Sequence, residues 1–342
     1  MKKTNISALL LAALLLIQLL CAPVSAVTAE PAADAQADAQ TATDNSAEDA
    51  AAADDSVPED QLLSSREQFS VAAKAALLID LNTNRVVYEQ DADERVYPAS
   101  LTKIMTCLIA LENGNLSDVV TVSESALADL DEDSSVAGLV VGEQMTLENL
   151  LYCMMVVSGN DACNVIAEHV AGSVTDFVRM MNQRAYELGC TNTHFNNPHG
   201  LHDESHYTTA RDLAIITQAA LKSENFRQIV DTYEYKLPDD NMRQNIPKLK
   251  TTNMLIYQSM SNSLYYPRAH GIKTGYTSQA GRCVISEATG DGLDLLGIVC
   301  GAATTVLDSG DLLMENFTEC ARLFDYGFDN YSYLTLMSPL YP

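Results

Sequence analysis

The chain has 342 residues, of which 47% are hydrophobic, and a formal net charge of −26. That length allows one large domain or two small ones with a sizeable core. The chain has only 20 Lys and Arg residues but 46 Asp and Glu residues. This balance argues against binding to nucleic acid or docking on anionic lipid, because both need clustered cationic side chains.

The N-terminus has the composition of a secretory signal. Lys2 and Lys3 precede an apolar run over residues 6–21, and residues 22–26 are small or Pro. This pattern predicts a signal peptide over residues 1–26, cleaved after Ala26. An uncleaved anchor is the alternative, because the run is nearly long enough to span a bilayer. Both readings predict an extracytoplasmic protein, secreted or associated with the cell envelope, with a possible N-terminal membrane tether.

Residues 27–65 consist mainly of Ala, Asp, Glu, Gln, Ser and Thr, and no basic residue occurs between Lys3 and Arg66. Such a segment buries too little apolar surface to offset the entropy of ordering it. We therefore predict a disordered acidic linker over residues 27–65 and one catalytic domain over residues 66–342. Because the chain ends soon after the last predicted helix, we expect any tether to be N-terminal.

Removal of the signal leaves seven cysteines, an odd number without dense spacing, which does not indicate a disulfide framework. Most lie in apolar runs, as buried free thiols do, and pairing of some of them stays open. They are Cys107, Cys153, Cys163, Cys190, Cys283, Cys300 and Cys320.

The folded part begins with a predicted β-hairpin, formed by residues 73–80, a turn, and residues 85–89. The apolar run 104–111 then predicts a buried helix that ends near residues 113–114. Ser100 and Lys103, at the start of this helix, are three residues apart and share one face. A serine hydroxyl needs a base within hydrogen-bond reach to act as a nucleophile, and an uncharged amine can be that base. The Ser-x-x-Lys spacing alone has little weight, because it recurs by chance.

In the rest of the chain, several predicted helices are followed by several predicted strands and a last helix. Thr146 is a favourable N-cap, and Gly189 a favourable C-terminal signal. The predicted helices are 147–157, 161–170, 174–188, 209–222 and an amphipathic 311–324, and the predicted strands are 271–275, 283–287 and 293–300. Residues 196–202 are a loop by composition, and 236–248 a hairpin or exposed loop. This order predicts an α+β fold with an antiparallel sheet flanked by helices and a helical subdomain.

Three short motifs occur in a fixed order: Ser-Leu-Thr-Lys at residues 100–103 on a helix, Ser-Gly-Asn at 158–160 between helices, and Lys-Thr-Gly at 273–275 on a strand. Each is weak alone, but together the chain resembles the serine D-alanyl-D-alanine carboxypeptidases, the low-molecular-weight penicillin-binding proteins. Further matches lie at residues 197–201, 209–213 and 271–277. The resemblance covers about residues 69–331 and implies the penicillin-binding, β-lactamase-like transpeptidase fold.

The residue chemistry predicts three catalytic side chains. Ser100 attacks the carbonyl carbon of the scissile amide, and Lys103 takes its proton. That role requires a lowered pKa, which burial and a nearby second cation, Lys273, both favour. Ser158 is expected to relay a proton to the leaving amine.

The predicted substrate-binding residues lie on the second and third motifs. Asn160 can hydrogen-bond the substrate backbone and hold Lys103 in place. Lys273 and Thr274, on an edge strand, can bind the free C-terminal carboxylate of the substrate, and Gly275 lets the substrate lie close. By the resemblance, the backbone N–H groups of Ser100 and Tyr276 meet the developing oxyanion.

The resemblance implies a hydrolase of the cell wall. It removes the terminal D-alanine from peptidoglycan stem pentapeptides through an acyl-enzyme on Ser100, and β-lactam antibiotics acylate the same serine. A D,D-endopeptidase is an open alternative, since it would use the same residues. A serine β-lactamase would need a well-placed base for deacylation, and no class A-type loop containing Glu is evident. A silent wall-binding or penicillin-sensing module would not need intact Ser100, Lys103 and Lys273.

No metal or organic cofactor is implied. His199, His202 and His206 lie in a loop without a regular element to fix zinc geometry. Asp203 and Glu204 in the same loop are expected to be solvated, although Glu204 is the carboxylate there that could be imagined as a deacylating base. His270 precedes Gly271, at a position where the family commonly has an acid or a small residue, and this departure could alter substrate recognition along that edge.

Overall fold

The computed structural model describes residues 69–128, 130, 134–306 and 312–333. The predicted signal over residues 1–26 and the predicted linker over residues 27–65 lie outside these residues, as do both ends of the predicted domain 66–342. Their boundaries therefore stay predictions.

A five-stranded antiparallel sheet positions the other elements. Its strands run in the order β2-β1-β9-β8-β7, so that β7 is an edge strand. The strands are β1 Ala75–Asp80, β2 Arg85–Gln90, β3 Val119–Thr121, β4 Gln144–Thr146, β5 Glu234–Tyr235, β6 Leu249–Lys250, β7 Ala269–Thr277, β8 Gly281–Gly290, β9 Leu293–Ala302, β10 Thr304–Val306 and β11 Leu312–Met314. The C-terminal strands β7 to β9 thus join the N-terminal hairpin β1–β2 in one sheet, as the α+β prediction required.

Helices cover both faces of this sheet. The α-helices are α1 Lys103–Asn113, α2 Glu124–Ala128, α3 Leu147–Val156, α4 Asn160–Ala171, α5 Val174–Glu187, α6 Ala210–Ala220, α7 Glu224–Val230 and α8 Glu315–Asn330, and a 3-10 turn, Ala99–Thr102, precedes α1. Helix α8 packs Phe324 against Leu78 and Leu295 on one face. The other helices cover the opposite face, where Leu77, Ile285 and Ile298 point. Alternate residues of the strands therefore supply two separate cores.

Helix α1 is the centre of the helical layer. Its residues from Lys103 to Ala110 are all buried, because α4, α5 and α6 pack around it. The expected signals bound the neighbouring helices: the Thr146 side chain accepts a hydrogen bond from Asn149 N at the start of α3, and Gly189 follows α5 with φ +84°. Local capping therefore predicted these boundaries correctly.

Two elements differ from the predictions. The predicted helix 311–324 begins only at Glu315, because β11 pairs with β10 just before it, and it continues to Asn330. Helix α7, capped by the Ser223 side chain, was not predicted. The polar segment 236–248, predicted as a hairpin or exposed loop, is a loop between the paired strands β5 and β6.

The described residues contain no helix long and apolar enough to cross a bilayer. The seven cysteines of this part of the chain are all free and buried. Nor do its His, Cys, Asp and Glu side chains form a group of three or more that could hold a metal ion.

Candidate active site

The 3-10 turn ahead of α1 presents Ser100. Ala99, immediately before it, has φ +48°, a left-handed conformation that costs a non-glycine residue about 1–3 kcal/mol and is concentrated at functional sites. Because side chains three residues apart eclipse one another in a 3-10 turn, Ser100 Oγ lies 2.9 Å from Lys103 Nζ. The predicted contact between these two side chains is therefore present, on a tighter turn than the predicted α-helix.

Lys103 is fully buried and its amine has three oxygen neighbours. Besides Ser100 Oγ, Nζ lies 2.7 Å from Asn160 Oδ1 and 2.7 Å from the carbonyl oxygen of His199. An amide oxygen and a carbonyl can only accept, whereas a hydroxyl can also donate. In a neutral amine the two N–H groups can thus serve Asn160 and His199, which leaves the lone pair for the Ser100 hydroxyl proton.

Burial favours this neutral form. Desolvation lowers the pKa of Lys103, and the Asp161 carboxylate opposes the shift. Desolvation, assisted by the charge of Lys103, also holds the pKa of Lys273 well below its usual value. Burial raises the pKa of the Cys163 thiol to about 11, so the thiol is no anion for either lysine at neutral pH. A positive charge on one of the two buried lysines therefore disfavours a positive charge on the other.

The turn between α3 and α4 presents Ser158 towards Lys273. Ser158 has φ +63°, a second strained position in the site, and its Oγ accepts a hydrogen bond of 3.0 Å from Lys273 Nζ. Lys273 also donates to the carbonyl oxygen of Thr274 at 2.9 Å. Lys273 is only 1% exposed, so its amine contacts Ser158 and the Thr274 carbonyl and not solvent.

Asp161 holds this turn in place and was not among the residues predicted from the sequence. Its two carboxylate oxygens accept hydrogen bonds from four backbone N–H groups, those of Ala137, Gly138, Leu139 and Ala162. Asp161 thereby ties residues 137–139 to the first turn of α4. An acid in the first turn of a helix, directly after the Ser-Gly-Asn motif, was the signal that could have identified it.

The loop 196–202 supplies the His199 carbonyl and packs closely on the nucleophile turn. The Thr106 hydroxyl donates to the carbonyl oxygen of Pro198 at 2.6 Å, and Asn197 Oδ1 accepts from Gly200 N at 2.6 Å. Gly200 has φ +91°, and a Cβ on it would lie 1.8 Å from Ala99 O. Only glycine therefore allows this approach.

His206 connects the same loop to the nucleophile turn. Its Nδ1 accepts from Asn196 N at 3.1 Å, so Nε2 carries the proton and donates to Thr102 Oγ1 at 2.9 Å. The Thr102 hydroxyl in turn donates to Ala99 O at 2.8 Å. Burial lowers the pKa of His206 to about 4. A neutral His206 thus completes a chain of hydrogen bonds that leads to the residue before Ser100.

We expect this histidine to make the protein acid-sensitive. The unfolded chain takes up a proton at His206 near pH 6.5, but the folded protein does so only near pH 4. The free energy of unfolding should therefore fall as the pH drops through this window, by at most about 1.4 kcal/mol per pH unit from this one residue. Urea unfolding at several pH values should give a shallower slope for His206→Gln than for the wild type. Parallel slopes would contradict the assignment.

Strand β7 lies directly against the nucleophile turn. A Cβ on Gly275 would lie 3.0 Å from Pro98 O and 3.1 Å from Ser100 N, so this glycine permits close packing of strand and turn in addition to any role towards substrate. The Thr274 hydroxyl lies 2.6 Å from Thr252 Oγ1. Tyr276 is 56% exposed.

The structure thus brings the predicted side chains together in two connected groups. Lys103 contacts Ser100 and Asn160, and Lys273 contacts Ser158. Asn160 follows Ser158 by two residues, which joins the two groups. The remaining predicted residues, Thr274, Gly275 and Tyr276, continue β7 beyond Lys273.

A serine in contact with a buried lysine, on a helix that lies beside the edge strand of an antiparallel sheet, defines the class of serine acyl-transfer enzymes with the penicillin-binding fold. Comparisons with known proteins agree with this class. The chain belongs to the D-alanyl-D-alanine carboxypeptidase family, peptidase family S11, whose profile matches residues 62–304.

Curated relatives include D-alanyl-D-alanine carboxypeptidase DacF of Bacillus subtilis, 38% identical over 76% of this chain and 63% of the relative. DacC of Escherichia coli is 33% identical over 80% of this chain and 65% of the relative. The chain thus spans less than two thirds of the length of these two relatives.

Solved structures show the same fold. The Streptomyces K15 DD-transpeptidase has a TM-score of 0.67 at 29% identity, over 76% of this chain and 98% of that one. Penicillin-binding protein 5 of Haemophilus influenzae has a TM-score of 0.65 at 32% identity, over 76% of this chain and 72% of that one. The predicted α+β penicillin-binding fold is confirmed.

Proposed function

We propose that the protein is a serine D,D-carboxypeptidase that removes the terminal D-alanine from peptidoglycan stem pentapeptides, and that β-lactams acylate the same serine. It acts outside the cytoplasm, secreted or held at the envelope by its N-terminus. The contacts of one buried amine carry the proposal: Lys103 Nζ touches Ser100 Oγ and has both of its other neighbours fixed as acceptors.

Acylation follows from this arrangement. Lys103, in its neutral form, takes the proton of Ser100 as Oγ attacks the carbonyl carbon of the penultimate D-alanine. The amide bond then breaks, the terminal D-alanine leaves with a proton relayed by Ser158, and the remaining peptide stays bound as an ester of Ser100. Water releases the peptide and regenerates the hydroxyl. The backbone N–H groups of Ser100 and Tyr276 stabilise the oxyanion.

Lys273 supplies the positive charge that an exopeptidase needs for a free C-terminal carboxylate. Its amine is buried behind Ser158, so the substrate carboxylate meets the hydroxyls of Ser158 and Thr274 within the field of this cation. Binding of the carboxylate favours the charged form of Lys273. Asn160, which already holds Lys103, orients the substrate backbone.

We expect Lys273→Ala to raise the KM for peptides with a free C-terminal carboxylate by about tenfold or more, since removal of one partner from a buried charge pair typically costs several kcal/mol. A peptide amide, which lacks the carboxylate, should show a much smaller change. Lys222→Ala, which removes an exposed lysine, serves as the matched control. A large loss of thermal stability with unchanged KM would show that Lys273 is structural.

Mass spectrometry of the purified protein tests the function directly. After incubation with penicillin, a long-lived adduct should map to Ser100, and incubation with a pentapeptide that ends in D-Ala-D-Ala should release D-alanine. Rapid turnover of penicillin without a persistent adduct would identify a β-lactamase. Absence of both adduct and product would identify a silent binding module.

The resemblance to a protein named DD-transpeptidase adds one arm to this experiment, because an amine can attack the acyl-enzyme in place of water. Addition of a D-amino acid to the pentapeptide reaction should leave hydrolysis dominant. Transfer of the acyl group to most of the added amine would overturn the carboxypeptidase assignment and favour a transpeptidase.

A further inference from the structure

An open cavity of about 660 Å³ adjoins the site on a side that the reaction described above leaves unused. It is lined by Arg95, Val96, Tyr97, Asp203, Glu204, Ser205 and Tyr207. One wall is thus the segment that leads into the nucleophile turn, and the other is residues 203–207, which directly follow the loop 196–202.

The two walls are held at a fixed separation. Val96 N donates to Thr208 O at 2.8 Å, and Thr208 N donates to Val96 O at 2.9 Å, as in a pair of antiparallel strands. The Tyr97 ring meets His202 edge to face, with ring centroids 4.6 Å apart. The cavity is therefore preformed.

The cavity carries one cation, Arg95, and one anion, Glu204, and neither forms an ion pair within the described part of the chain. The Arg95 guanidinium lies over the Tyr207 ring, 4.1 Å from its centroid, and forms no ion pair there. Arg211, by contrast, bonds Glu89 and Asp93. The Glu204 carboxylate makes no hydrogen bond or ion pair with the other described residues.

Asp203 adds a second negative charge to the same wall. Its Oδ1 accepts hydrogen bonds from Ser205 N at 2.8 Å and from Asn196 Nδ2 at 2.7 Å, and the bonds from Ser205 hold the pKa of Asp203 below its usual value. The cavity thus suits a ligand with an amine, which the two carboxylates attract, and a carboxylate, which Arg95 can bind in bidentate fashion.

The distance from the nucleophile fits a stem peptide. Tyr97 and Ser100 are three residues apart, so their Cα atoms are at most about 11 Å from each other. In the substrate, the residue before the penultimate D-alanine has its Cα about 5 Å from the scissile carbonyl, and a four-carbon side chain adds about 6 Å. With the C-terminal carboxylate at β7, a side chain of that length is long enough to extend from the scissile carbonyl to Tyr97 in the cavity wall.

On this basis, and resting on the proposed function, we infer that the cavity binds the third-residue side chain of the stem peptide, and that it selects a diamino acid whose side chain ends in both an amine and a carboxylate. Glu204 binds the amine and Arg95 the carboxylate. Both are specificity residues and take no part in the covalent steps.

Three pentapeptides that differ only at the third residue test this inference: meso-diaminopimelate carries both groups, L-lysine the amine alone, and L-norleucine neither. We expect kcat/KM for D-alanine release to fall in that order, by about three- to tenfold per step, since one partly exposed charge pair contributes about 1 kcal/mol. Glu204→Gln should bring the lysine-to-norleucine ratio close to one. Arg95→Gln should do the same to the diaminopimelate-to-lysine ratio.

Glu224→Gln and Arg85→Gln remove exposed charges of the same types outside the cavity and should keep both ratios. Equal kcat/KM for the three peptides would overturn the inference, and so would ratios that neither cavity variant changes. In both cases the proposed function stands, because D-alanine is still released. If no peptide releases D-alanine and penicillin forms no adduct, the proposed function fails and the inference with it.

Discussion

Replacement of Lys103 by Ala should abolish acylation of Ser100, with a loss of about 10³-fold or more in the rate of adduct formation with penicillin, because a positioned general base typically contributes 10²–10⁴-fold. Ser100 would lose the amine at 2.9 Å. Stopped-flow or quenched reactions followed by mass spectrometry give this rate directly. An unchanged rate would remove Lys103 from the role of base.

The variant also removes a fully buried side chain, so its effect on the fold needs a control. The Lys103 amine donates hydrogen bonds to Asn160 Oδ1 and His199 O. Loss of a buried donor leaves its acceptors unpaired, which lowers the free energy of unfolding by about 1–3 kcal/mol. Lys103→Met keeps the volume and lacks the amine, so it should be equally inactive. n-Propylamine replaces the three missing carbons and the amine in the Ala variant, and partial rescue of acylation by it would separate lost chemistry from lost structure.

Residues with local signals were predictable from the sequence. The hairpin β1–β2, the caps at Thr146 and Gly189, and the contact between Ser100 and Lys103 all depend on positions that are close in the chain, where propensity and spacing act directly. The edge position of β7 followed from the motif order and the resemblance. Ser158 lies in the predicted turn and Lys273 on the predicted strand. Ser100 instead lies on a 3-10 turn ahead of the predicted helix, and Asn160 is the first residue of α4.

Contacts between distant segments were not predictable in the same way. The third neighbour of the Lys103 amine is the carbonyl oxygen of His199, a group that every residue has, so no residue type marks it. Gly275 was assigned to substrate approach, but the atoms closest to a Cβ added there belong to Pro98, Ala99 and Ser100, more than 170 positions earlier in the chain. The predicted start of α8 at residue 311 was wrong. The segment just before Glu315 pairs with β10 as strand β11, and this pairing outweighs the helical periodicity of the sequence.

Gly200→Ala should be among the most damaging single substitutions in the chain. Its Cβ would lie 1.8 Å from Ala99 O and 2.9 Å from Thr102 Oγ1, so either the loop or the nucleophile turn must move. Movement of the loop withdraws His199 O from Lys103, and movement of the turn displaces Ser100. A shift of about 1 Å in a catalytic group can cost about 10²-fold in rate, so we expect kcat/KM to fall by that factor or more.

Gly172→Ala separates this clash from the strain of the backbone alone. Gly172 has φ +79° with nothing within 4 Å of its added Cβ, at the C-terminal end of α4 and about 18 Å along that helix from Asn160. It should lower stability by about 1–2 kcal/mol, the general cost of a left-handed non-glycine residue, and leave acylation close to wild type. Equal effects of the two substitutions on acylation would show that close packing of the loop on Ala99 is not what positions the serine.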